Sequence, residues 1–453
     1  CGTSNRRRRR VLNTMRRGAI SRYLSRHADL DTRPLVSLST NGITQAVVIP
    51  ALAEAEYLFD TLRSLEANAA YERERTLVIV VINNGAEPHA AATAIAENQA
   101  TLRRLDAVMR RSTALRLAYV DASSPGVELP PREGVGLARR IGMDHAVAVL
   151  ARSKETPRLV GCLDADALVE PNYLEALRTH FERPDGWAAV TAYAHRLDGI
   201  TKDEIAGILC YELFLRYHAL GLTLARSPYA FHTIGSTIAC TAEAYAVAGG
   251  MNRREAGEDF YFLQKLAKTG AVHILNTTTV HPSGRASSRV PFGTGPRVRN
   301  FSHAPDEAFA VYHPECYAVI DKWFALIDRG LHAEAAAILA DAEAIAPELR
   351  AFLDSACFER TWEDLARNSP DAQGLVRHFH DWFDGLKTLR LIHHLRDHGW
   401  PQQDLFESLD VLVGRAGLEP PVRLERGLRH DIEGQKTLLG FLRGSLPYRP
   451  ASR

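Results

Sequence analysis

Apolar positions along the chain change their period twice. From Gln45 to about Asn300, short strand-like runs alternate with helical spacing, and from about Ala304 onward strand signals nearly vanish. The first run, AVVIP, ends at Pro50, and apolar residues then recur at Leu58, Leu62 and Leu65, which predicts a helix. TLVIVVINN is a continuous β-branched run of the kind buried on both faces of a parallel sheet. Helical spacing over Ala90–Met109, a strand over Leu115–Val120, a helix over Gly136–Leu150 and a strand over Leu159–Leu163 continue the alternation. Repeated strand–helix–strand order predicts an open α/β sheet with helices on both faces. Such sheets bind ligands at the carboxyl ends of their strands, so functional residues are expected just after each apolar run. The C-terminal pattern predicts helices over Ala318–Arg329, His332–Ile345, Pro347–Phe358, Leu375–Asp397 and Asp404–Gly414. Three regions follow: a basic arm (1–44), a sheet domain (45–303) and a helical region (304–453).

Composition narrows the class. An apolar fraction of 46% with 24% charged residues is that of a globular protein, and a net charge of +1 argues against nucleic acid as a specific ligand. Ile205–Ala225 is the most apolar stretch, but Glu212, Arg216 and His218 interrupt it, and it reads as an amphipathic or buried helix. Cys1, Cys162, Cys210, Cys240, Cys316 and Cys357 lie far apart without zinc spacing, which reads as reduced thiols of a cytoplasmic chain. Arg6–Arg10 form an unbroken basic run that leaves peripheral contact with anionic lipid open. Cys1 is no initiator, so a truncated or over-extended reading frame is expected ahead of a lipid-modified cysteine.

The chemistry concentrates at Asp164-Ala165-Asp166, directly after the apolar run Leu159–Leu163. Two carboxylates one residue apart at a strand end suit a hard, oxygen-liking cation such as Mn²⁺ or Mg²⁺. Such an ion keeps positions open for diphosphate oxygens. A surface acidic pair is the plainer reading of the triplet alone. Glu258-Asp259 follows Gly257 at a predicted helix start, where acids are favourable for the dipole alone.

The set VVIPALAEAE, VIVVINNGAE, GVGLARRIGMDHAV, LVGCLDADALVEPNYL and AGEDFYFLQKLAKTG resembles the GT-A fold glycosyltransferases of family 2, in order and spacing. The resemblance covers roughly Gln45 to Val280. It implies a metal-dependent glycosyltransferase with a GT-A mixed sheet, a nucleotide-sugar donor and a sugar, lipid or small-molecule acceptor, with hexosyl transfer expected. Pro50, Ala51 and Glu54 match the first-strand loop against the nucleotide. Asn84 stands where the family usually places an aspartate against the base. Gly136, Arg139 and Arg140 match a Gly-x-x-x-Arg stretch beside the donor, where an arginine pairs with the diphosphate or anchors Asp164. Gly235-Ser236 matches a donor-sugar and acceptor contact. Asp259, ahead of Glu258, is implied as the general base of an inverting displacement. His281 is implied as a third metal ligand beside Asp164 and Asp166, and Arg285 and Arg289 as diphosphate clamps on a loop. Gln-x-x-Arg-Trp is missing, which argues against a processive synthase.

The alternatives are a retaining GT-A transferase acting on a small acceptor, and an inactive nucleotide-binding scaffold. A dinucleotide-dependent oxidoreductase would need G-x-G-x-x-G after the first strand, where PALAEAE stands. The helical region is expected to shape an acceptor site, support an oligomer or dock on a partner, and the oligomeric state is open.

Overall fold

The computed structural model describes residues 18–111, 114–254, 256–285 and 309–445. They fall into two compact units, one of residues 18–197 and 233–283, the other chiefly of residues 198–232 and 309–445.

The first unit opens with helix α1 (18–27) and strand β1 (Leu35–Ser37). β2 (Gln45–Ala51), α2 (Leu58–Glu66), α3 (Ala70–Glu74), β3 (Thr76–Asn83), α4 (Ala92–Arg110), β4 (Arg116–Ala122), α5 (Val135–Leu150) and β5 (Leu159–Cys162) follow. Then come β6 (Leu168–Val169), α6 (Tyr173–Phe181) and β7 (Ala188–Tyr193). After helix α7 (Lys202–Leu224), which belongs to the other unit, β8 (Ile238–Thr241), α8 (Ala242–Val247), α9 (Glu258–Thr269) and β9 (Val272–His281) complete the sheet unit.

The sheet is mixed, with strand order β1-β4-β3-β2-β5-β8-β7-β9-β6. Its centre, β4-β3-β2-β5, is parallel. β2 and β3 are buried at every position, as their unbroken apolar runs require when both faces are covered. Val47, Ile49, Val78 and Val80 share one core with Leu58, Leu62 and Leu65 of α2 and Leu105 of α4, while α5 also packs on β2 and β3. Each such fully buried side chain contributes about 1.5–3 kcal/mol.

Strand direction assembles one functional edge. β8 runs antiparallel to β5, so the 3₁₀ turn Gly235–Thr237 that begins it lies beside the end of β5. β7 is antiparallel to β8 and parallel to β9, which brings the ends of β7 and β9 to the same edge. β9 is a single ten-residue strand that joins the apolar segment Val272–Leu275 to the threonines Thr277–Thr279, with a register irregularity against β7 between Thr191 and Ala192.

Two boundaries differ from the sequence reading. Residues 18–44 are not an arm: β1 pairs with β4, and α1 buries Ile20 and Tyr23 against the sheet unit. Helix α7 clusters with the C-terminal helices, not with the sheet. By length and composition α7 is apolar enough to cross a bilayer, yet two thirds of its most apolar window is buried in protein. Its Thr201–Glu204 capping box fixes the start, and Glu212 pairs with Arg216 at 3.0 Å and with Arg443 at 2.8 Å.

The second unit continues with α10 (Pro314–Arg329), α11 (Ala335–Ile345), α12 (Pro347–Ser355), α13 (Phe358–Asn368), α14 (Ala372–Trp382), α15 (Gly385–His398), α16 (Leu405–Arg415) and α17 (Ile432–Ser445). The expected single helix over Leu375–Asp397 is two. Asp384 accepts hydrogen bonds from the N–H groups of Leu386 and Lys387 and starts a new helix after Phe383. Trp323, Phe358, Phe379 and Phe383 form the aromatic centre of this unit.

Candidate active site

The site is organised by one buried guanidinium. Arg139 lies on α5 and is almost fully shielded from solvent. One of its terminal nitrogens donates to Asp164, just after β5, and the other to Glu258, the first residue of α9. The planar fork suits two carboxylates approaching from different elements. Burial works against the charged guanidinium, but Asp164 and Glu258 more than offset it and hold its pKa above the ordinary value.

Two glycines make the arrangement sterically possible. A β-carbon on Gly235 would collide with the Arg139 guanidinium, and one on Gly136 would collide with the carbonyls of Asn252 and Arg254. The Gly136 N–H donates to the Arg254 carbonyl at 3.2 Å, which ties α5 to the loop ahead of α9. Gly257, with φ of 72°, takes the left-handed conformation that turns this loop into the helix. Beside Gly235, the buried Ser236 hydroxyl has no hydrogen-bond partner among the described residues.

Asp259 sits next to this network, half-buried, its carboxylate accepting from the Phe260 N–H at 2.7 Å. Loss of water and the like charge of Glu258 outweigh Arg139 and push its carboxyl up to about 7. Glu258 is committed to Arg139 by its ion pair. The two neighbouring acids thus divide into a structural anion and one that takes up or releases a proton near neutrality.

The Asp164–Asp166 turn is held from below. The Thr61 hydroxyl donates to the Ala165 carbonyl at 2.8 Å, and Ala167 N–H closes the turn on the Asp164 carbonyl at 3.1 Å. Both acids stay partly exposed. His281, the third expected metal ligand, is engaged elsewhere. Its Nε2 lies 2.7 Å from Glu170 and its Nδ1 3.2 Å from the Ala194 carbonyl, so both ring nitrogens face acceptors. Among the described residues no three His, Cys, Asp or Glu side chains are grouped to hold a metal ion. A hard cation arriving here would meet the Asp164 and Asp166 carboxylates and would complete its shell from water and phosphate oxygens.

The remaining expected residues separate. Pro50 and Ala51 end β2 and are buried, and Glu54 lies buried in the loop beyond. Asn84 follows β3, but its amide is spent inside the protein. It donates to the Gly85 and Ser123 carbonyls at 3.0 and 3.3 Å and accepts from Asn98 at 2.8 Å. Arg140 faces away from the acid cluster, donating at 3.1 Å to the carbonyls of Met251 and His27. The Gly-x-x-x-Arg spacing ends on Arg140, whereas the helix turns its neighbour Arg139 inward. Arg285 lies just past the end of β9, and Arg289 falls outside the described residues.

Several residues at this edge carry no motif. Asn98 donates to the Asn83 carbonyl at 3.0 Å and accepts from the Ala53 N–H at 2.9 Å, locking the loops after β2 and β3 together. A polar residue buried in α4 was the available signal. Burial would raise Asp121, near the end of β4, but hydrogen bonds from Ser124 and Ser123 hold it below the ordinary carboxylate value. Glu170, the partner of His281, gave no sign beyond its acidity.

Searches against protein-family profiles and curated proteins return no match. Among solved structures, the chain is similar to S. aureus TarS 1–349 in complex with UDP-GlcNAc, at 13% identity over 88% of this chain and 90% of that one, with a TM-score of 0.36. It is similar at the same TM-score to the mannosyltransferase PcManGT from Pyrobaculum calidifontis in complex with GDP-Man and Mn²⁺, at 16% identity over 83% and 98% of the two chains. Likeness at this level identifies neither substrate nor chemistry.

Proposed function

We propose that this chain is a metal-dependent GT-A glycosyltransferase of the inverting, non-processive kind, moving a sugar from a nucleotide-sugar donor to an acceptor hydroxyl. The observation that carries the reading is the Arg139 clamp. One guanidinium holds the acid after β5 and the acidic start of α9 together at the carboxyl edge of an open sheet. That edge is where such sheets bind nucleotides.

In this reading Asp164 and Asp166 would hold a divalent cation beside the donor diphosphate, and that cation would supply charge neutralisation for the departing group. Asp259 takes the proton from the acceptor hydroxyl. The acceptor oxygen forms its bond to the anomeric carbon as the bond from that carbon to the diphosphate oxygen breaks, and the nucleoside diphosphate leaves. Attack from the face opposite the leaving group inverts the anomeric centre. A carboxyl raised to about 7 is well matched to this proton transfer, which contributes about 10²–10⁴-fold. The unmet Ser236 hydroxyl is available to a sugar hydroxyl. Asn84 has its amide engaged, so base selection falls to other groups at this edge.

The test is donor hydrolysis and metal-dependent thermal shift across UDP-, GDP- and dTDP-sugars. UDP-GlcNAc and GDP-mannose are among the donors in the panel. A donor that stabilises only with Mn²⁺ or Mg²⁺, and loses its effect in Asp166→Ala, supports the reading. No shift with any nucleotide sugar, with or without metal, leaves a binding or scaffold protein as the better account.

A further inference from the structure

The chain ahead of the central strands crosses the edge where the acids gather. β1 runs antiparallel to β4, with Leu35 opposite Val120 near the carboxyl end of β4, so the residues leading into β1 lie at the carboxyl edge of the sheet. They are fastened there at two places, each on a different loop of the candidate site.

The first tie is on α1. The buried Tyr23 hydroxyl donates to the buried Asp144 carboxylate of α5 at 2.8 Å, and the Tyr245 hydroxyl of α8 donates to the same oxygen at 2.6 Å. Tyr23 also stands against the loop ahead of α9, where a β-carbon on Gly250 would collide with its hydroxyl. Gly249 and Gly250, both with φ of 75°, turn this loop and bring no side chains of their own to pack, so its place is set by what touches it. The Gly250 N–H donates to the Tyr245 carbonyl at 3.0 Å, and its carbonyl accepts from Lys265 of α9 at 3.2 Å. Further along, the Arg254 carbonyl accepts from the Gly136 N–H, one turn of α5 before Arg139. Arg140 adds a bond to the His27 carbonyl at 3.1 Å, but this one is exposed and is the weaker tie.

The second tie is Arg33. Its Nε donates to the Val127 carbonyl at 2.6 Å and its Nη2 to the Glu128 carbonyl at 2.7 Å, a fork onto two successive peptides of the loop after β4. The next residue, Leu129, donates its N–H to the Asn84 carbonyl at 2.9 Å. The Arg33 carbonyl accepts from Nε2 of the buried His145 at 2.7 Å, which pins the segment to α5 as well. Helix α5 thus turns Arg139 toward the acids and uses Asp144 and His145 to hold the N-terminal segment.

We propose, resting on the glycosyltransferase reading of this edge, that residues 18–37 form a brace for the site, with Tyr23 and Arg33 as positioning residues. Tyr23 sets the loop that leads into Glu258 and Asp259, and Arg33 sets the loop that backs Asn84. The two ties act on opposite flanks of the site, so their loss has different consequences.

Single backbone amides of the full chain are followed by hydrogen exchange, and the Asp259 carboxyl is titrated by NMR, in the parent, Tyr23→Phe and Arg33→Met. Tyr23→Phe keeps the ring edge-on to Tyr245 and removes only the tie. Its Gly136 and Gly250 amides are expected to exchange about tenfold faster or more, with Leu129 within about twofold of the parent. Water reaching the loosened start of α9 should move the Asp259 midpoint down from about 7 toward the ordinary carboxylate range. Arg33→Met should speed Leu129 by a similar factor and leave Asp259 where it is. Asp144→Asn, which weakens the same bond from the other side, takes the place of Tyr23→Phe if that variant does not fold. Uniformly faster exchange through the sheet, no change at these amides, or an Asp259 midpoint unmoved in Tyr23→Phe would overturn the assignment. Where a donor turns over, a several-fold lower kcat in Tyr23→Phe at unchanged donor KM and a raised donor KM in Arg33→Met are expected, and parent values in both would also overturn it. The exchange and titration readouts need no donor, so a chain that turns over no nucleotide sugar counts against the transferase reading while these two still decide the brace.

Discussion

Two of the buried arginine–carboxylate networks among the described residues are built to opposite ends. In the helical unit, Glu212 lies between Arg216 and Arg443, one carboxylate shared by two guanidiniums. In the sheet unit one guanidinium, that of Arg139, serves Asp164 and Glu258 with Asp259 beside them. The first gathers two guanidiniums on one buried acid. The second carries a surplus of negative charge at a partly open sheet edge. Surplus anion raises the cost of ionising the last carboxyl and favours an arriving cation, which a closed pair does neither of. Buried ion pairs are weak evidence of function in themselves, and the charge imbalance is what separates these two.

The sharpest way to break this comparison is Asp259→Asn. Turnover is expected to fall by about 10²–10⁴-fold while the donor still binds, read by donor hydrolysis beside the metal-dependent thermal shift. Undiminished turnover would remove Asp259 from the chemistry.

Substituting the acceptors or donors at each centre comes next. Arg139→Met leaves Asp164 and Glu258 without their cation and is expected to cost about 3–5 kcal/mol, with loss of donor binding. Glu212→Gln in the helical unit is expected to cost a similar amount in denaturant unfolding, yet leave specific activity of the folded protein unchanged. Equal loss of activity in both would erase the distinction between them.

Gly235→Ala tests the clamp from its other side, because the added methyl must displace the guanidinium. A cost of about 1–3 kcal/mol is expected, with activity reduced more than stability. Arg140→Gln should have the smallest effect on chemistry, since this side chain ties α1 and the loop at Met251. Loss of its bonds to the two carbonyls is expected to cost about 1–3 kcal/mol, with kcat within a few-fold of the parent.

Titration sharpens the same contrast. Asp259 ionises near pH 7 in the folded protein and near the ordinary carboxylate range when unfolded. Between those values the folded state holds the extra proton, so this group costs stability progressively as pH rises from about 4 to about 7. Activity should rise over the upper part of that window as the base is freed. The Asp259→Asn protein should gain thermal stability relative to the parent above pH 7. A pH-independent difference between the two midpoints would contradict the raised pKa.

Much of the sheet was legible because its signals are local. The unbroken runs at β2 and β3, the helical spacing at Leu58, Leu62 and Leu65, and the acids after β5 depend only on neighbours in the chain. Period and burial go together over a few residues, whatever the rest of the molecule does. The short strands β7 and β8 were missed, since four to six residues rich in alanine carry little period of their own. The break between α14 and α15 hid in a continuous helical pattern, where one aspartate cap decides the outcome.

The amino-acid sequence by itself determined the alternation of strands and helices, the acidic triplet, the Glu258-Asp259 pair and the basic segment at the start of the chain. Tertiary structure decided which of these meet. Arg139 and Arg140 are indistinguishable as letters, and only the rotation of α5 against the sheet sends one to Asp164 and Glu258 and the other to α1. Asn84 and His281 are polar at the right places, yet Asn98, Glu170 and two backbone carbonyls, remote in sequence, claim their hydrogen bonds. The physical reason is common to all of them. A side chain's type is a property of the residue, but its partner is set by whichever donor or acceptor the fold brings within about 3 Å, and that requires the whole sheet to be in place.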